Sequence, residues 1–323
     1  MKYKIEDISV IIPTYNRSSE ILETLKNMRK ANVKEILIID QSRIMEEASK
    51  IKRICSELNE SGLQIKYNHF DFASTAMARN KGIEISDPSS KIISFIDDDV
   101  TIQENYFETI ISKFNSHPEV WGVTAYIPEE VSKLDLILDK TIRNLFNLRK
   151  YEDSSCRILC PYCNTYPLKL TKDIYAQWFP GVTMSYKKDI FNKYHFDNCL
   201  GGYSLAEDME FSYSLFLANP RALLLTPDTL VEHRFSAVER ADIKKMSYIN
   251  QVDHFYFYWK YESSFSKIKH YWCIFGIFIL RTLQMLNFKT KSFKKWYYFV
   301  TSLVYCFTHK KSIKEGKVRE WLK

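Results

Sequence analysis

Three short, nearly continuous apolar runs constrain this chain more than any other feature. Ile8-Ser9-Val10-Ile11-Ile12 stops at Pro13, Glu35-Ile36-Leu37-Ile38-Ile39 stops at Asp40, and Ile92-Ile93-Ser94-Phe95-Ile96 runs into Asp97-Asp98-Asp99. A strand with one wet face alternates apolar and polar residues. These runs do not, so each is predicted to be a strand buried on both faces, as in a parallel sheet covered by helices. Helical periods fill the gaps. Ser18 or Ser19 is placed to cap a helix with Ile21, Leu22, Leu25 and Met28 on one face, Met45 to Leu58 repeats the period, and Thr75 to Ile85 is a helix of small residues. Gln64 to Tyr67 and Val120 to Ile127 read as strands, and Tyr106 to Phe114 as a helix. This alternation predicts an α/β fold with a mostly parallel sheet flanked by helices. In such sheets ligands bind beyond the carboxyl ends of the strands, and Asp40 and Asp97 stand at two of those ends.

Residues 132–175 interrupt the alternation and read as an insertion on the acceptor side, with a helix over 134–148. Regular structure resumes over Phe179 to Phe191, then as a helix over Glu207 to Leu217 and a strand over Ala222 to Thr226. A catalytic domain over 1–240 and a helical region over 241–323 are expected. Charge separates the two. The net charge is +7, yet from Lys260 onward 14 lysines and arginines face three glutamates, which leaves the rest of the chain acidic. Two apolar stretches in this tail, Trp272 to Leu286 and Trp296 to Phe307, are shorter than the roughly 20 residues a spanning helix needs. Lys267, Lys269, Lys289, Lys291, Lys294, Lys295, Lys310 and Lys311 flank them. That pattern predicts helices lying on an anionic membrane surface; a helical pair packed on the main domain is the alternative. Base readout of nucleic acid is not expected. Met1 to Asp7 has no apolar run of a secretory signal, and the seven scattered cysteines suit a reduced compartment, so a cytoplasmic protein peripheral to the inner face of the plasma membrane is expected.

Three consecutive carboxylates at a strand end repel one another and call for a cation. Hard oxygen ligands suit Mn²⁺ or Mg²⁺, which also bind substrate phosphates. In extended backbone Asp97 and Asp99 would face one side and Asp98 the other. Alone, the triplet fits a solvated acidic turn or a helix cap equally well. Cys156, Cys160 and Cys163 have a spacing seen around iron–sulfur clusters, and Cys199 or a histidine would complete a zinc site. Chance cysteines in a loop insertion explain the spacing more simply.

Ser9-Val10-Ile11-Ile12-Pro13-Thr14-Tyr15-Asn16-Arg17, Ile38-Ile39-Asp40, Ala78-Arg79-Asn80-Lys81-Gly82 and Phe95-Ile96-Asp97-Asp98-Asp99 occur in that order, followed by Phe179-Pro180-Gly181, Phe196-Asp197 and Glu207-Asp208. The ordered set, over roughly residues 8 to 235, resembles the family 2 glycosyltransferases of the GT-A, nucleotide-diphospho-sugar transferase fold. The resemblance implies a hexosyl transfer from a nucleotide-diphosphate sugar, a UDP-sugar being expected, to a hydroxyl of a lipid-linked or oligosaccharide acceptor, with inversion. It implies roles as well. Pro13, Thr14, Tyr15 and Asp40 would meet the base, with Arg17 in the same loop. Arg79 would reach the base or phosphates, Asp97 the ribose and Asp99 the metal. Asp98 belongs to the donor side without a separate role. Asp208, paired with Glu207, would be the general base, and His233 would complete the metal shell. Arg234 and Arg240 are candidate phosphate clamps. Asp40-Gln41-Ser42 keeps only the first of the family's two acids after the second strand, so the identity of the nucleotide stays open. A metal-dependent nucleotidyltransferase acting on a sugar phosphate and a non-catalytic binding protein are the competing readings.

Overall fold

A computed structural model describes residues 2–152, 154–234, 242–285 and 290–322. Arg240, Lys289 and the boundary expected at 240/241 lie outside the described residues. In chain order come β1 (Ile8–Thr14), α1 (Ser18–Asn27), β2 (Glu35–Asp40), α2 (Met45–Glu60), β3 (Ile65–His69), α3 (Thr75–Ile85) and β4 (Ile92–Ile96). Then follow β5 (Val100–Ile102), α4 (Tyr106–Ser116), β6 (Gly122–Tyr126), α5 (Lys133–Leu138), β7 (Ile158–Cys160), β8 (Cys163–Asn164), β9 (Ile174–Tyr175) and β10 (Thr183–Lys187). The last elements are α6 (Glu207–Ala218), β11 (Leu223–His233), α7 (Ile243–Lys260), α8 (Lys267–Met285), α9 (Thr290–Thr308) and α10 (Lys310–Lys314). They pack as two compact units. One holds Met1–Pro128, Lys169–Asn198 and Glu207–Glu239; the other holds Glu129–Leu168, Cys199–Ala206 and Arg240–Lys323.

The first unit is built on one sheet with strand order β3-β2-β1-β4-β10-β6-β11-β5, and β9 pairs with β11. The parallel expectation holds for β3-β2-β1-β4. Beyond β4 the sheet is mixed, because β10 runs antiparallel to both β4 and β6. A continuous apolar run signals burial but not direction, so the sequence pattern does not distinguish the two. The reversal matters for the site. The carboxyl ends of β1, β2 and β4 share one rim, with Thr14 opposite Asp40. β10 starts at that rim, Thr183 opposite Ile96, so the residues entering it arrive beside Asp97, whose N–H donates to the Val182 carbonyl at 3.0 Å. β11 ends there, with His233 opposite Val100 of β5.

An aromatic cluster lies beneath the rim. The rings of Phe196 and Phe211 stack at 4.2 Å, and Phe95 meets Phe196 edge-on at 5.2 Å. All three are at most 2% exposed, and burying each side chain is worth roughly 1.5–3 kcal/mol.

The second unit is mostly helical. The helix expected over 134–148 is shorter: α5 passes into one wide π turn over Asp139–Arg143. The chain then leaves the helix at Asn147, φ 54°, a left-handed position that asparagine tolerates. Asp139 holds the turn by accepting from the Lys150 N–H at 2.8 Å. No amphipathic period marks α7 in the sequence, because its apolar and aromatic residues, from Ile249 to Trp259, are buried around most of its circumference and leave no single stripe. No helix among the described residues is long and apolar enough to cross a membrane.

Cys160 and Cys163 face each other across the β7–β8 hairpin and pack in an apolar cluster with Phe146, Leu148 and Cys273. The Cys163 thiol donates to the Arg149 carbonyl and the Cys273 thiol to that of Asn147. Burial pushes the Cys160 and Cys163 thiols well above their ordinary range, whereas metal ligation needs thiolates. All three cysteines of the 156–163 group are buried.

Candidate active site

The loop after β1 turns through Asn16 at φ 53°, the left-handed region an asparagine accepts at small cost. Its N–H donates to Ser42 Oγ at 2.8 Å, and its side-chain carbonyl accepts from the Ile44 N–H. This links the loops after β1 and β2. Asp40 is fully buried there; one oxygen accepts from the Ser42 N–H at 2.8 Å and the other from the Tyr67 hydroxyl at 2.7 Å. Pro13 and Tyr15 are partly exposed on the same rim, and Thr14 is buried.

Asp97-Asp98-Asp99 is neither extended nor a helix cap. Asp98 and Asp99 form a turn, and β5 follows. The three carboxylates part accordingly. Asp98 accepts from the Thr14 hydroxyl at 2.7 Å and the Arg17 guanidinium at 3.0 Å. Arg17 also stands 3.7 Å from Asp99. Asp99 meets His233 Nε2 at 3.1 Å. Asp97 lies 3.4 Å from Arg79 and keeps 31% of its side chain exposed. A solvated acidic turn is ruled out for Asp98 and Asp99, which are 4% and 5% exposed. Burial pushes the Asp98 carboxyl to about 6 against the pull of Arg17, and the Asp97 carboxyl to about 7 against that of Arg79; neighbouring carboxylates add to both shifts. Burial works against a cation at His233, but the hydrogen bond and charge of Asp99 outweigh it and raise its pKa.

Thr24, which no sequence motif marks, and Arg234, expected as a phosphate clamp, hold this turn in place. Thr24 on α1 donates to the Asp98 carbonyl at 2.6 Å. Arg234 donates to the Val100 carbonyl at 2.9 Å and to the hydroxyls of Thr101 and Thr24 at 2.7 Å, while its own N–H bonds the Asp99 carbonyl. Its guanidinium is engaged with the scaffold rather than standing ready as a phosphate clamp.

Arg79 is the second centre. It is 1% exposed and reaches Glu207 and Asp97 at 3.4 Å each and the Gly181 carbonyl at 3.1 Å. Its guanidinium carbon lies 5.3 Å from the Phe196 ring centroid, a cation–π distance. Asn80 fixes that ring by pairing its amide with both the N–H and the carbonyl of Phe196, at 3.0 and 2.8 Å. Glu207 and Asp208 open α6, where the helix dipole also favours acids. Asp208 accepts from the Gly181 N–H at 2.6 Å and the Met209 N–H at 2.7 Å. Burial raises its pKa, opposed by Arg79 and these amides. Gly181 therefore joins the two centres. A Cβ there would stand 3.0 Å from both Arg79 Nη2 and Asp208 Oδ2. Gly181→Ala is expected to displace both and lower kcat roughly tenfold with an unchanged far-ultraviolet circular dichroism spectrum; steady-state kinetics on the folded variant checks this.

A divalent cation fits the donor set. Asp99 and His233 present an oxygen and a nitrogen ligand side by side, and Asp97 and Asp98 bring two further carboxyls to the same turn. Among the described residues no three His, Cys, Asp or Glu side chains form a complete metal cage. Two protein ligands with substrate phosphate oxygens and water are a usual arrangement for such ions.

Comparisons with known proteins bear on the family and the fold. The family model for glycosyl transferase family 2 matches residues 9–175. An uncharacterized glycosyltransferase of Rickettsia conorii is 32% identical over 121 residues, which covers 37% of this chain and 19% of that protein. Among solved structures, GalNAc-T7 with UDP, GalNAc and Mn²⁺ superposes with a TM-score of 0.55 at 14% identity, covering 94% of this chain and 58% of that one. The mannosyltransferase PcManGT from Pyrobaculum calidifontis, in complex with GDP-Man and Mn²⁺, gives a TM-score of 0.57 at 13% identity, covering 97% and 88%. The structural likenesses show a shared fold, the GT-A fold that the sequence resemblance implied. The chain matches less than two thirds of the length of the Rickettsia protein and of GalNAc-T7.

Proposed function

The chain belongs to glycosyl transferase family 2, and from that premise we propose that it transfers a sugar from a nucleotide-diphosphate donor to an acceptor hydroxyl with inversion. One observation carries the reading: Gly181 and Arg79 tie the Asp208 carboxylate to the Asp97–Asp99 turn, so an acid suited to proton abstraction lies next to a cation-binding rim.

In this reading the nucleobase lies along Pro13, Thr14, Tyr15 and Asp40, and the ribose meets Asp97. Arg17 holds Asp98 and Asp99 in place beneath the diphosphate. Asp208 accepts the proton of the acceptor hydroxyl as that oxygen attacks the anomeric carbon and the bond to the diphosphate breaks. Its two backbone N–H partners leave the carboxylate oriented, and the raised pKa makes it a better base than an ordinary aspartate. Mn²⁺ or Mg²⁺, held by Asp99 and His233, would supply charge stabilisation for the departing diphosphate. Direct displacement by the acceptor oxygen inverts the anomeric carbon.

A UDP-sugar is the proposed donor, as in the UDP complex of GalNAc-T7; the GDP-Man complex of PcManGT puts guanosine donors in the test as well. The acceptor proposed is a lipid-linked or oligosaccharide hydroxyl of a bacterial surface glycan, met at the inner face of the plasma membrane. The Lys- and aromatic-rich C-terminal helices support that location.

A panel of UDP- and GDP-sugars with Mn²⁺ or Mg²⁺ is expected to release free nucleoside diphosphate, and excess chelator is expected to abolish the release. Pyrophosphate formed from a nucleoside triphosphate and a sugar phosphate would instead favour the nucleotidyltransferase. Turnover unaffected by chelator would remove the metal from the scheme.

A further inference from the structure

Seven of the exposed apolar side chains of the second unit lie on two segments that touch, α8 and the insertion. On α8, Ile268, Trp272, Phe275 and Leu283 follow one another at i, i+4, i+7 and i+15, a single stripe of the helix, and are 40–83% exposed. The insertion adds Leu134, Ile137 and Leu145, 59–66% exposed. Contacts lock the two segments together. The Trp272 indole N–H donates to the Leu145 carbonyl at 2.8 Å. The Phe146 ring lies 5.2 Å from that of Trp272 and 6.0 Å from that of Phe275. At Gly276 a Cβ would stand 2.3 Å from the Phe146 Cβ, so the helix backbone itself bears on Phe146. Apolar surface of this extent is uncommon on a monomeric protein without a partner.

On these two segments basic residues outnumber acidic ones. α8 contains no acidic residue, and exposed Lys267 and Lys269 flank Ile268. On the insertion side Lys133 and Lys140 are exposed. Of the acids, Asp135 pairs with Arg143 at 3.2 Å, Asp139 is buried on backbone amides, and Glu129 and Glu130 are exposed just ahead of the insertion helix.

We propose that the insertion and α8 together form one docking face for an anionic phospholipid surface. The apolar side chains enter the boundary between headgroups and acyl chains, and the lysines meet the anionic headgroups. The inference rests on the reading above of an enzyme working at a membrane, and it adds residues 134–145 to a role expected only of the C-terminal tail.

Co-sedimentation of the full chain with phosphatidylglycerol and phosphatidylcholine vesicles tests it. The wild type is expected to bind the anionic vesicles preferentially, and less so at high salt. Leu134→Glu and Leu145→Glu, both at exposed sites outside the tail, are expected to weaken partition about tenfold each. Lys267→Gln and Lys269→Gln should cost roughly fivefold each. Circular dichroism and metal-dependent donor hydrolysis without vesicles should match the wild type for all four, so a loss of vesicle binding is separable from a failure of the enzymatic reading. Wild-type-like binding by Leu134→Glu and Leu145→Glu would remove the insertion from the face. Equal binding to both lipids, or to neither, would overturn the proposal. So would a wild-type dimer that Leu145→Glu turns into a monomer, since the face would then cover a second copy of the chain.

Discussion

Asp208→Asn is expected to lower transfer by about 10²–10⁴-fold while leaving donor affinity nearly unchanged. The substitution keeps the side chain's shape, and the amide oxygen still accepts from the Gly181 N–H, so the link between β10 and α6 survives while the Met209 N–H loses its acceptor. What disappears is the proton acceptor. The pH profile carries a second, independent signature. Burial raises the Asp208 pKa above the ordinary aspartate value of 3.8. The working form is the ionised one, so activity should fall as pH drops through that raised value, at a higher pH than for a surface aspartate. The residual activity of Asp208→Asn should lack this acid limb. Rates of nucleoside diphosphate release across pH, with donor affinity from calorimetry, check both halves. Full turnover by the variant, or an acid limb that persists in it, would sink the assignment.

Much of the site's inventory is legible in the sequence, but its wiring is not. Asp40 and Asp97 stand at strand ends because β1, β2 and β4 are parallel and continuous in apolar residues, and that pattern can be read from the chain. The antiparallel entry of β10 cannot, because Thr183 to Tyr186 are buried on both faces in either direction. That entry is what brings Gly181 between Arg79 and Asp208. Asn80 and Phe196 are equally hidden. They pair across 116 residues through one side-chain amide and one backbone segment, and no local period announces such a contact. A glycine preceding a buried strand, Gly181, was the available signal, since a close approach is one reason for a missing side chain. Arg234 shows the converse. Beside His233 it reads as a phosphate clamp, yet its donors are taken by the Val100 carbonyl and the hydroxyls of Thr24 and Thr101. The acid triplet itself divided differently from the alternation of an extended strand, because a turn at Asp98 and Asp99 gave each carboxylate its own partner.

Replacing Arg79 should therefore damage the protein as well as the reaction. Besides the donor contact that the sequence resemblance implies, Arg79 is a buried cation between Asp97 and Glu207, and it opposes protonation of Asp208. Arg79→Met removes the charge and keeps much of the stem, leaving buried carboxylates uncompensated. A loss of about 3–5 kcal/mol is the expected scale for breaking such a group at neutral pH. The loss depends on pH in a definite direction. Without Arg79 the folded-state pKa of Asp208 rises further above its unfolded value, so the folded state holds a proton that the unfolded chain has released. Stability is then retained below the ordinary carboxylate value near 3.8 and is lost as pH rises through the displaced one. The gap to wild type should be widest at neutral and alkaline pH and narrow on acidification. Arg79→Lys should recover part of the stability and little of the activity, because one ammonium cannot reproduce the planar fork that meets Asp97, Glu207 and the Gly181 carbonyl together. Urea unfolding of the three proteins across pH distinguishes the cases. If Arg79→Met unfolds at the wild-type midpoint at every pH and shows only weakened donor binding, Arg79 faces the donor and the strut assignment is wrong.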